Sequence, residues 1–141
     1  MNQKSAYEDF SRLKLLIVED QMEARTILRN MLGELGVTQI FEAGDGREAL
    51  SFLDMASDLV ELIICDWNMP NMSGLEFLSR IRSDGCNIPF LIISGRGDRD
   101  SVLKAKAGGV SGYIRKPFSS AQLEVKLRVL MQRMVEAQKE E

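Results

Sequence analysis

Five polar side chains stand at points where an apolar stretch of the sequence ends. They are Glu19, Asp20, Asp66, Ser94 and Lys116. In the segment LIICD, for example, four apolar residues lead directly to Asp66. A carboxylate at the end of a strand that is buried on both faces costs free energy unless a cation or a donor beside it needs its charge. These residue types therefore indicate a shared polar site.

Three of these side chains are carboxylates, which raise one another's pKa when they meet at one place. A divalent cation with oxygen ligands relieves that repulsion, and Mg²⁺ is the natural candidate. We expect Asp20 and Asp66 to bind Mg²⁺ directly and the longer Glu19 to bind it through water. The backbone carbonyl near Asn68, just after Asp66, is a further candidate ligand.

The two remaining side chains suit a phosphoryl group. The ammonium of Lys116 and the hydroxyl of Ser94, together with a metal ion, could neutralise the oxygens of a phosphoryl group during its transfer. Asp66, at the centre, is placed to be the nucleophile and to accept that group as an acyl phosphate. Taken singly, each residue has a simpler interpretation. Asp20 and Asp66 could cap helices, Ser94 could belong to a turn, and Lys116 could be a solvated surface lysine.

Apolar runs of strand length alternate along the chain with amphipathic stretches of helical period. A predicted helix follows each predicted strand. The first of these helices ends at Gly36, and the fourth covers residues 100–107. The five predicted strands are Lys14–Val18, Gln39–Ala43, Leu62–Asp66, 89–94 and 111–115.

Five strand–helix units with doubly apolar strands predict an α/β fold in which helices cover both faces of a parallel five-stranded sheet. Right-handed crossovers and the chain length favour the doubly wound, flavodoxin-like (βα)5 arrangement with strand order 2-1-3-4-5. In this order the carboxyl ends of the strands bring the five polar side chains to one edge, around Asp66. The predicted domain spans residues 13–135, between tails at 1–12 and 136–141.

The composition excludes several classes of function. With 18 basic and 21 acidic residues, the net charge of −3 disfavours a nucleic-acid partner. The chain has no histidine, which rules out Ser-His and Cys-His nucleophile pairs. Cys65 and Cys86 lack metal-ligand spacing. The apolar runs are too short for membrane insertion and the polar N-terminus lacks a signal region, so we expect a cytoplasmic protein.

Four motifs at the strand ends, VED, DWNMP, IS and KPF, resemble those of the receiver domain of two-component response regulators. The similarity covers residues 13–134 and is strongest towards the receivers that regulate chemotaxis. It implies that Asp66 is the phosphoacceptor and that Glu19 and Asp20 are the metal acids. Glu19 is a mild departure, since aspartate is commoner there; it keeps the charge and lengthens the reach.

The resemblance also assigns roles around the phosphate. Lys116 would contact the phosphoryl group, and the peptide bond between Lys116 and Pro117 would be cis. Ser94 and Tyr113 would form a switch pair. Threonine is frequent at the position of Ser94, but the hydroxyl group is retained.

A single-domain response regulator is the function that the resemblance implies. A histidine kinase or a phosphotransfer protein would phosphorylate Asp66 in the presence of Mg²⁺. The added charge would act on Ser94 and Tyr113 and change the surface of helix four, strand five and helix five, which binds an output protein. By the same resemblance, that protein is a flagellar motor switch protein. A phosphorelay shuttle or a phosphate sink unrelated to motility is the alternative within this class.

An enzyme on the same fold is the alternative from another class. A flavodoxin needs a hydroxyl-rich, non-acidic loop after strand one, whereas VEDQME would repel phosphate without a metal. A Mg²⁺-dependent phosphatase of the haloacid-dehalogenase type needs a DxD pattern on strand one, which is absent. We therefore expect a signalling receiver that catalyses only its own phosphorylation and dephosphorylation.

Two further predictions concern regulation and output. Asn68 and Arg96 each lie two residues past a site residue, and the resemblance points to these positions as tuners of acyl-phosphate hydrolysis. The core-facing residues of helix five leave Val125 and Val129 together on the solvent side. With Tyr113 at the end of strand five, the two valines predict a partner surface.

Overall fold

The computed structural model describes residues 9–139. It confirms the predicted fold, with five parallel strands in the order β2-β1-β3-β4-β5 and five helices. The strands are β1 Lys14–Val18, β2 Gln39–Ala43, β3 Leu62–Asp66, β4 Phe90–Ser94 and β5 Gly112–Arg115. The helices are α1 Met22–Glu34, α2 Gly46–Ala56, α3 Gly74–Ser83, α4 Arg99–Ala107 and α5 Ser120–Lys139.

Successive residues of a strand face opposite sides of the sheet, so two apolar cores form. Leu15 and Ile17 pack with α1 and α5 on one side, whereas Leu16 and Val18 pack with α2, α3 and α4 on the other. Every residue of β3 and β4 is buried. The doubly apolar strands thus lie between two layers of helices, and this arrangement fixes the carboxyl edge of the sheet where the polar residues are expected.

The amino end of the core includes a residue that the sequence assigns to a tail. Phe10–Arg12 form a short 3₁₀ turn, and Phe10 is only 4 % exposed. The guanidinium of Arg128, on α5, lies over the Phe10 ring at 4.8 Å from its centroid. Phe10 lies within the predicted tail at 1–12, yet its side chain packs in the apolar cluster that contains Leu13 and Leu15.

At the other end of the chain, α5 continues to Lys139, into the predicted tail at 136–141. Residues 1–8, 140 and 141 lie outside the described residues, and the domain limits of 13–135 stay a prediction. Between residues 9 and 139, none of the helices combines the length and the apolar character that a membrane span requires.

Candidate functional site

The ends of four neighbouring strands assemble the predicted site. β1 lies beside β3 in parallel, so Glu19 and Asp66 come together where these strands end. Ser94 is the last residue of β4, and its carbonyl oxygen accepts a hydrogen bond from the backbone N–H of Lys116, at 2.7 Å. The sheet therefore brings these four residues to one edge, as the predicted strand order requires.

A single ammonium group contacts two of the carboxylates. Lys116 Nζ donates a hydrogen bond to Asp66 Oδ2 at 3.0 Å and lies 3.9 Å from Glu19 Oε1. Carboxylate oxygens of Glu19, Asp20 and Asp66 lie within 4.8 Å of one another, and we call these three residues the acid cluster. Lys116 thus contacts two members of the acid cluster, Glu19 and Asp66.

The helix-capping interpretation of Asp20 and Asp66 does not hold. The N-cap residue of α1 is Gln21, which makes no side-chain capping bond. The N-cap residue of α3 is Ser73, whose hydroxyl accepts a hydrogen bond from Glu76 N at 3.1 Å. Local helix chemistry therefore does not explain why these carboxylates are at the sheet edge.

Glu19 is buried with only part of its hydrogen-bonding capacity used. The residue is 4 % exposed, and its Oε2 atom has no hydrogen-bond partner among residues 9–139. Burial raises the pKa of Glu19 from 4.5 to about 8; the nearby Asp66 carboxylate adds to the rise and Lys116 opposes it. A hard cation that prefers oxygen ligands would bind the buried oxygen and lower the free-energy cost of burying the ionised carboxylate. The acid cluster therefore fits a divalent metal ion.

The two hydroxyl groups of the predicted switch pair bind the same residue. Ser94 Oγ accepts a hydrogen bond from the backbone N–H of Arg96 at 2.9 Å. The hydroxyl of Tyr113 donates to the backbone carbonyl oxygen of Arg96. Ser94 is fully buried, whereas Arg96 is exposed on the loop between β4 and α4. Ser94 and Tyr113 are thus connected through the backbone of Arg96.

Trp67, the residue after the predicted phosphoacceptor, contacts the loop between β4 and α4. The Arg96 guanidinium lies over the Trp67 ring at 5.8 Å from its centroid. The Tyr113 ring meets the Trp67 ring edge-on, with 6.4 Å between centroids. Asn68, the other predicted rate-tuning residue, is exposed, and its backbone N–H donates to Asp66 Oδ1 at 3.4 Å. Both predicted rate-tuning residues therefore lie beside the site.

Gly74 is a site residue that the sequence reasoning missed. Its backbone N–H donates to the carbonyl oxygen of Trp67 at 2.8 Å, which brings the start of α3 against the end of β3. A Cβ atom at this position would collide with the carbonyl oxygen of Asp66, so only glycine fits. The sequence contained one indication of this role. Glycine is a poor helix former, so a glycine at a predicted helix start suggests that a side chain would not fit there.

The surface around β5 contains the residues predicted to bind a partner. A groove of about 720 Å³ is lined by residues that include Val102, Tyr113 and Val125. Val125 and Val129 are 61 % and 42 % exposed, as their spacing on the helix predicts. The Lys116–Pro117 peptide bond next to this groove is cis, as the resemblance implies.

Comparison with known proteins agrees with this architecture. The family model described as the response regulator receiver domain matches residues 15–128. The chain therefore belongs to the family of response regulator receiver domains. It is a CheY-like receiver of a two-component system, which makes it a signalling protein and not a classical enzyme.

Individual relatives support the same assignment. The chain is 40 % identical over 121 residues to "Chemotaxis protein CheY1" of Helicobacter pylori, covering 84 % of this chain and 97 % of the relative. It is 36 % identical over 124 residues to "Chemotaxis protein CheY" of Pseudomonas aeruginosa, covering 86 % and 98 %. The solved structure of the Vibrio cholerae chemotaxis protein CheY4 matches with a TM-score of 0.76 and 31 % identity, over 84 % of this chain and 98 % of that one.

Proposed function

We propose that the chain is a phosphorylation-controlled response regulator in which Asp66 accepts a phosphoryl group from a histidine kinase or a phosphotransfer protein. The observation that carries this proposal is the contact of Lys116 Nζ with Asp66 Oδ2 at 3.0 Å inside the acid cluster. A carboxylate nucleophile, a fixed cation and a set of metal ligands are the parts that phosphoryl transfer requires.

Each residue of the site has a role in the transfer. A carboxylate oxygen of Asp66 attacks the phosphorus atom of the donor's phosphohistidine. The phosphorus–nitrogen bond breaks, and the imidazole leaves with the bonding electrons as the acyl phosphate forms. Glu19, Asp20 and Asp66 would hold Mg²⁺, whose charge screens the carboxylates from the phosphoryl oxygens. Lys116 then donates to one phosphoryl oxygen and the Ser94 hydroxyl to another.

The new charge would be transmitted through Ser94. A phosphoryl group adds a charge of about −1.5 to −2 at neutral pH, and it draws the Ser94 hydroxyl towards itself. The backbone N–H of Arg96 then loses its acceptor, and the loop between β4 and α4 rearranges. Because the Tyr113 hydroxyl binds the carbonyl oxygen of the same residue, Tyr113 moves with the loop.

The output surface in this proposal is formed by α4, β5 and α5. Its groove is bordered by Tyr113 and Val125, and Val129 extends the exposed apolar surface along α5. A short apolar or amphipathic segment of an output protein would fit there. The curated relatives are named chemotaxis proteins. We therefore propose chemotaxis control in the cytoplasm, with a flagellar motor switch protein as the output partner.

Phosphorylation by a small donor tests the assignment of Asp66. After treatment with acetyl phosphate and Mg²⁺, intact-mass measurement should show one phosphoryl adduct on the wild type and none on Asp66→Asn. Asp45→Asn is the matched control, because Asp45 caps α2 and lies outside the acid cluster. It should carry the adduct at the wild-type level. An adduct of wild-type abundance on Asp66→Asn would reject the assignment.

The metal site has a spectroscopic test. Trp67 is the only tryptophan and is next to Asp66 in the chain, so its emission should change when Mg²⁺ is titrated into the protein. The backbone carbonyl near Asn68 would complete the ligand set. Asp20→Ala should shift the midpoint to higher Mg²⁺ concentration. A wild-type titration curve for Asp20→Ala would remove Asp20 from the proposed ligands.

A further inference from the structure

Arg25 joins the acid cluster to the neighbouring strand β2 through one guanidinium group. Its Nη1 donates a hydrogen bond to the backbone carbonyl oxygen of Glu19 at 2.7 Å. Its Nε lies 3.3 Å from Glu42 Oε1, on β2. The Arg25 side chain is only 19 % exposed, so these contacts are largely shielded from solvent.

The carbonyl group of Glu19 belongs to the peptide unit that joins Glu19 to Asp20. This unit is planar, so a bond to its oxygen restrains the directions in which both side chains leave the backbone. The N–H of Glu19 is held as well, by the carbonyl oxygen of Ala43 at 3.1 Å. The turn that carries two of the three acids is therefore tied to β2 by its backbone and by Arg25.

We propose that Arg25 is a positioning residue that holds Glu19 and Asp20 in the orientation needed to bind Mg²⁺. This inference rests on the proposed function, because it takes the acid cluster as the Mg²⁺ site. Arg25 acts on the metal through the peptide unit between the two acids and not by contact. Loss of a residue that orients metal ligands typically lowers metal affinity roughly 10-fold to 100-fold. Arg25→Met, which retains an apolar stem, should weaken Mg²⁺ binding by this factor.

Arg29 provides a matched control. It lies one turn further along α1, carries the same charge and pairs with the same acid, Glu42. Its guanidinium is bonded to Glu42 and not to the Glu19 carbonyl. Arg29→Met therefore removes one positive charge from the same region without releasing the Glu19–Asp20 peptide unit. It should keep the wild-type Mg²⁺ affinity.

The variant Arg25→Lys distinguishes the effect of the guanidinium geometry from the effect of its positive charge. Lysine keeps the positive charge, but its single ammonium lacks the planar fork that presents two donors to Glu19 O and Glu42 at once. We expect weakened Mg²⁺ binding in this variant too. If Arg25→Met does not fold, Arg25→Lys decides the question alone.

The test is a Mg²⁺ titration of each full-length variant, followed by Trp67 emission, after circular dichroism has shown that the variant is folded. Both Arg25 variants should have midpoints at higher Mg²⁺ concentration than the wild type, and Arg29→Met should not. A wild-type midpoint in either folded Arg25 variant, or an equal shift in Arg29→Met, would overturn the positioning role while leaving the proposed function intact. A wild type without any response to Mg²⁺ would overturn the proposed function and this inference together.

Discussion

The two ends of the parallel sheet differ in the side chains that they bury. At the carboxyl end, Glu19, Asp66 and Ser94 are buried polar side chains. At the amino end, Phe10 and Leu13 are buried apolar side chains that are only 4 % and 3 % exposed. The same five strands connect both ends. The difference therefore reflects what each end does and not how the sheet is built.

Residues that stabilise the fold and residues that form the candidate site thus lie at opposite ends of the sheet. Each large apolar side chain that is buried at the amino end contributes about 1.5–3 kcal/mol. At the carboxyl end, Glu19 has a buried oxygen without a partner among residues 9–139 and a pKa raised to about 8. Such a group lowers the stability of the folded protein until a bound cation offsets its charge.

Phe10→Ala should have the largest effect on stability, because it removes a large buried side chain from the amino end of the core. Removing a buried phenylalanine side chain costs about 3–5 kcal/mol. Urea unfolding should show this loss, whereas the Mg²⁺ response of Trp67 in the folded variant should be retained.

The control for this prediction is Met55→Ala. Met55 is 89 % exposed, so its removal should change the free energy of unfolding by no more than about 0.5 kcal/mol. A folded Phe10→Ala protein that no longer responds to Mg²⁺ would show that the two ends of the sheet are not independent.

Glu19→Gln tests how the buried Glu19 carboxyl group at the carboxyl end of the sheet affects stability. Because the pKa of Glu19 rises from 4.5 to about 8 on folding, the folded protein retains a proton that the unfolded chain releases. In EDTA, the free energy of unfolding should therefore fall as the pH rises from 4.5 towards 8. Glutamine does not titrate, so Glu19→Gln should lack this component and exceed the wild type in stability near pH 8. Urea unfolding across this range would contradict the assignment if the two proteins gave parallel profiles.

Arg96→Ala and Asn68→Ala should alter the lifetime of the phosphorylated state with little change in stability. Arg96 lies over Trp67 at the mouth of the site, and its truncation should let water reach the acyl phosphate and speed its hydrolysis. Asn68 lies beside Asp66, to whose Oδ1 its backbone N–H donates. The decay of the phosphoryl adduct, followed by intact mass, measures both effects. Unchanged decay rates in both variants would remove their tuning role.

The smallest effect on stability is expected for Val125→Ala/Val129→Ala, which shortens two exposed side chains of α5. Both valines are exposed, so each change should cost no more than about 0.5 kcal/mol. Affinity for a motor switch protein should fall, while the response to the phosphoryl mimic beryllofluoride should be unchanged. Binding at wild-type strength by the double variant would place the output surface elsewhere.

The sequence predicted those features that depend on local patterns. The apolar runs located β1, β2 and β3 with their observed limits, and β4 and β5 to within one residue. Since parallel strands end at one edge, the same runs predicted that Asp66, Ser94 and Lys116 would meet there. The helical period of α5 predicted the exposure of Val125 and Val129.

Contacts between distant segments could not be predicted in this way. Phe10 packs beneath Arg128, and Arg25 pairs with Glu42 on the neighbouring strand β2. Such pairings depend on side-chain directions that only the folded chain defines. The burial of Glu19 is of the same kind, because a long acid at a strand end could equally have reached into solvent.

Chemical trapping tests most directly whether Asp66 carries the phosphoryl group. Borohydride reduces an acyl phosphate to an alcohol, so a phosphorylated aspartate is recovered as homoserine, which peptide mass spectrometry can locate. After treatment with acetyl phosphate and Mg²⁺, we expect homoserine at position 66, in the peptide that contains Trp67, and not in samples without the donor. Homoserine at another aspartate, or an unmodified Asp66 in protein that carries the phosphoryl adduct, would contradict the assignment.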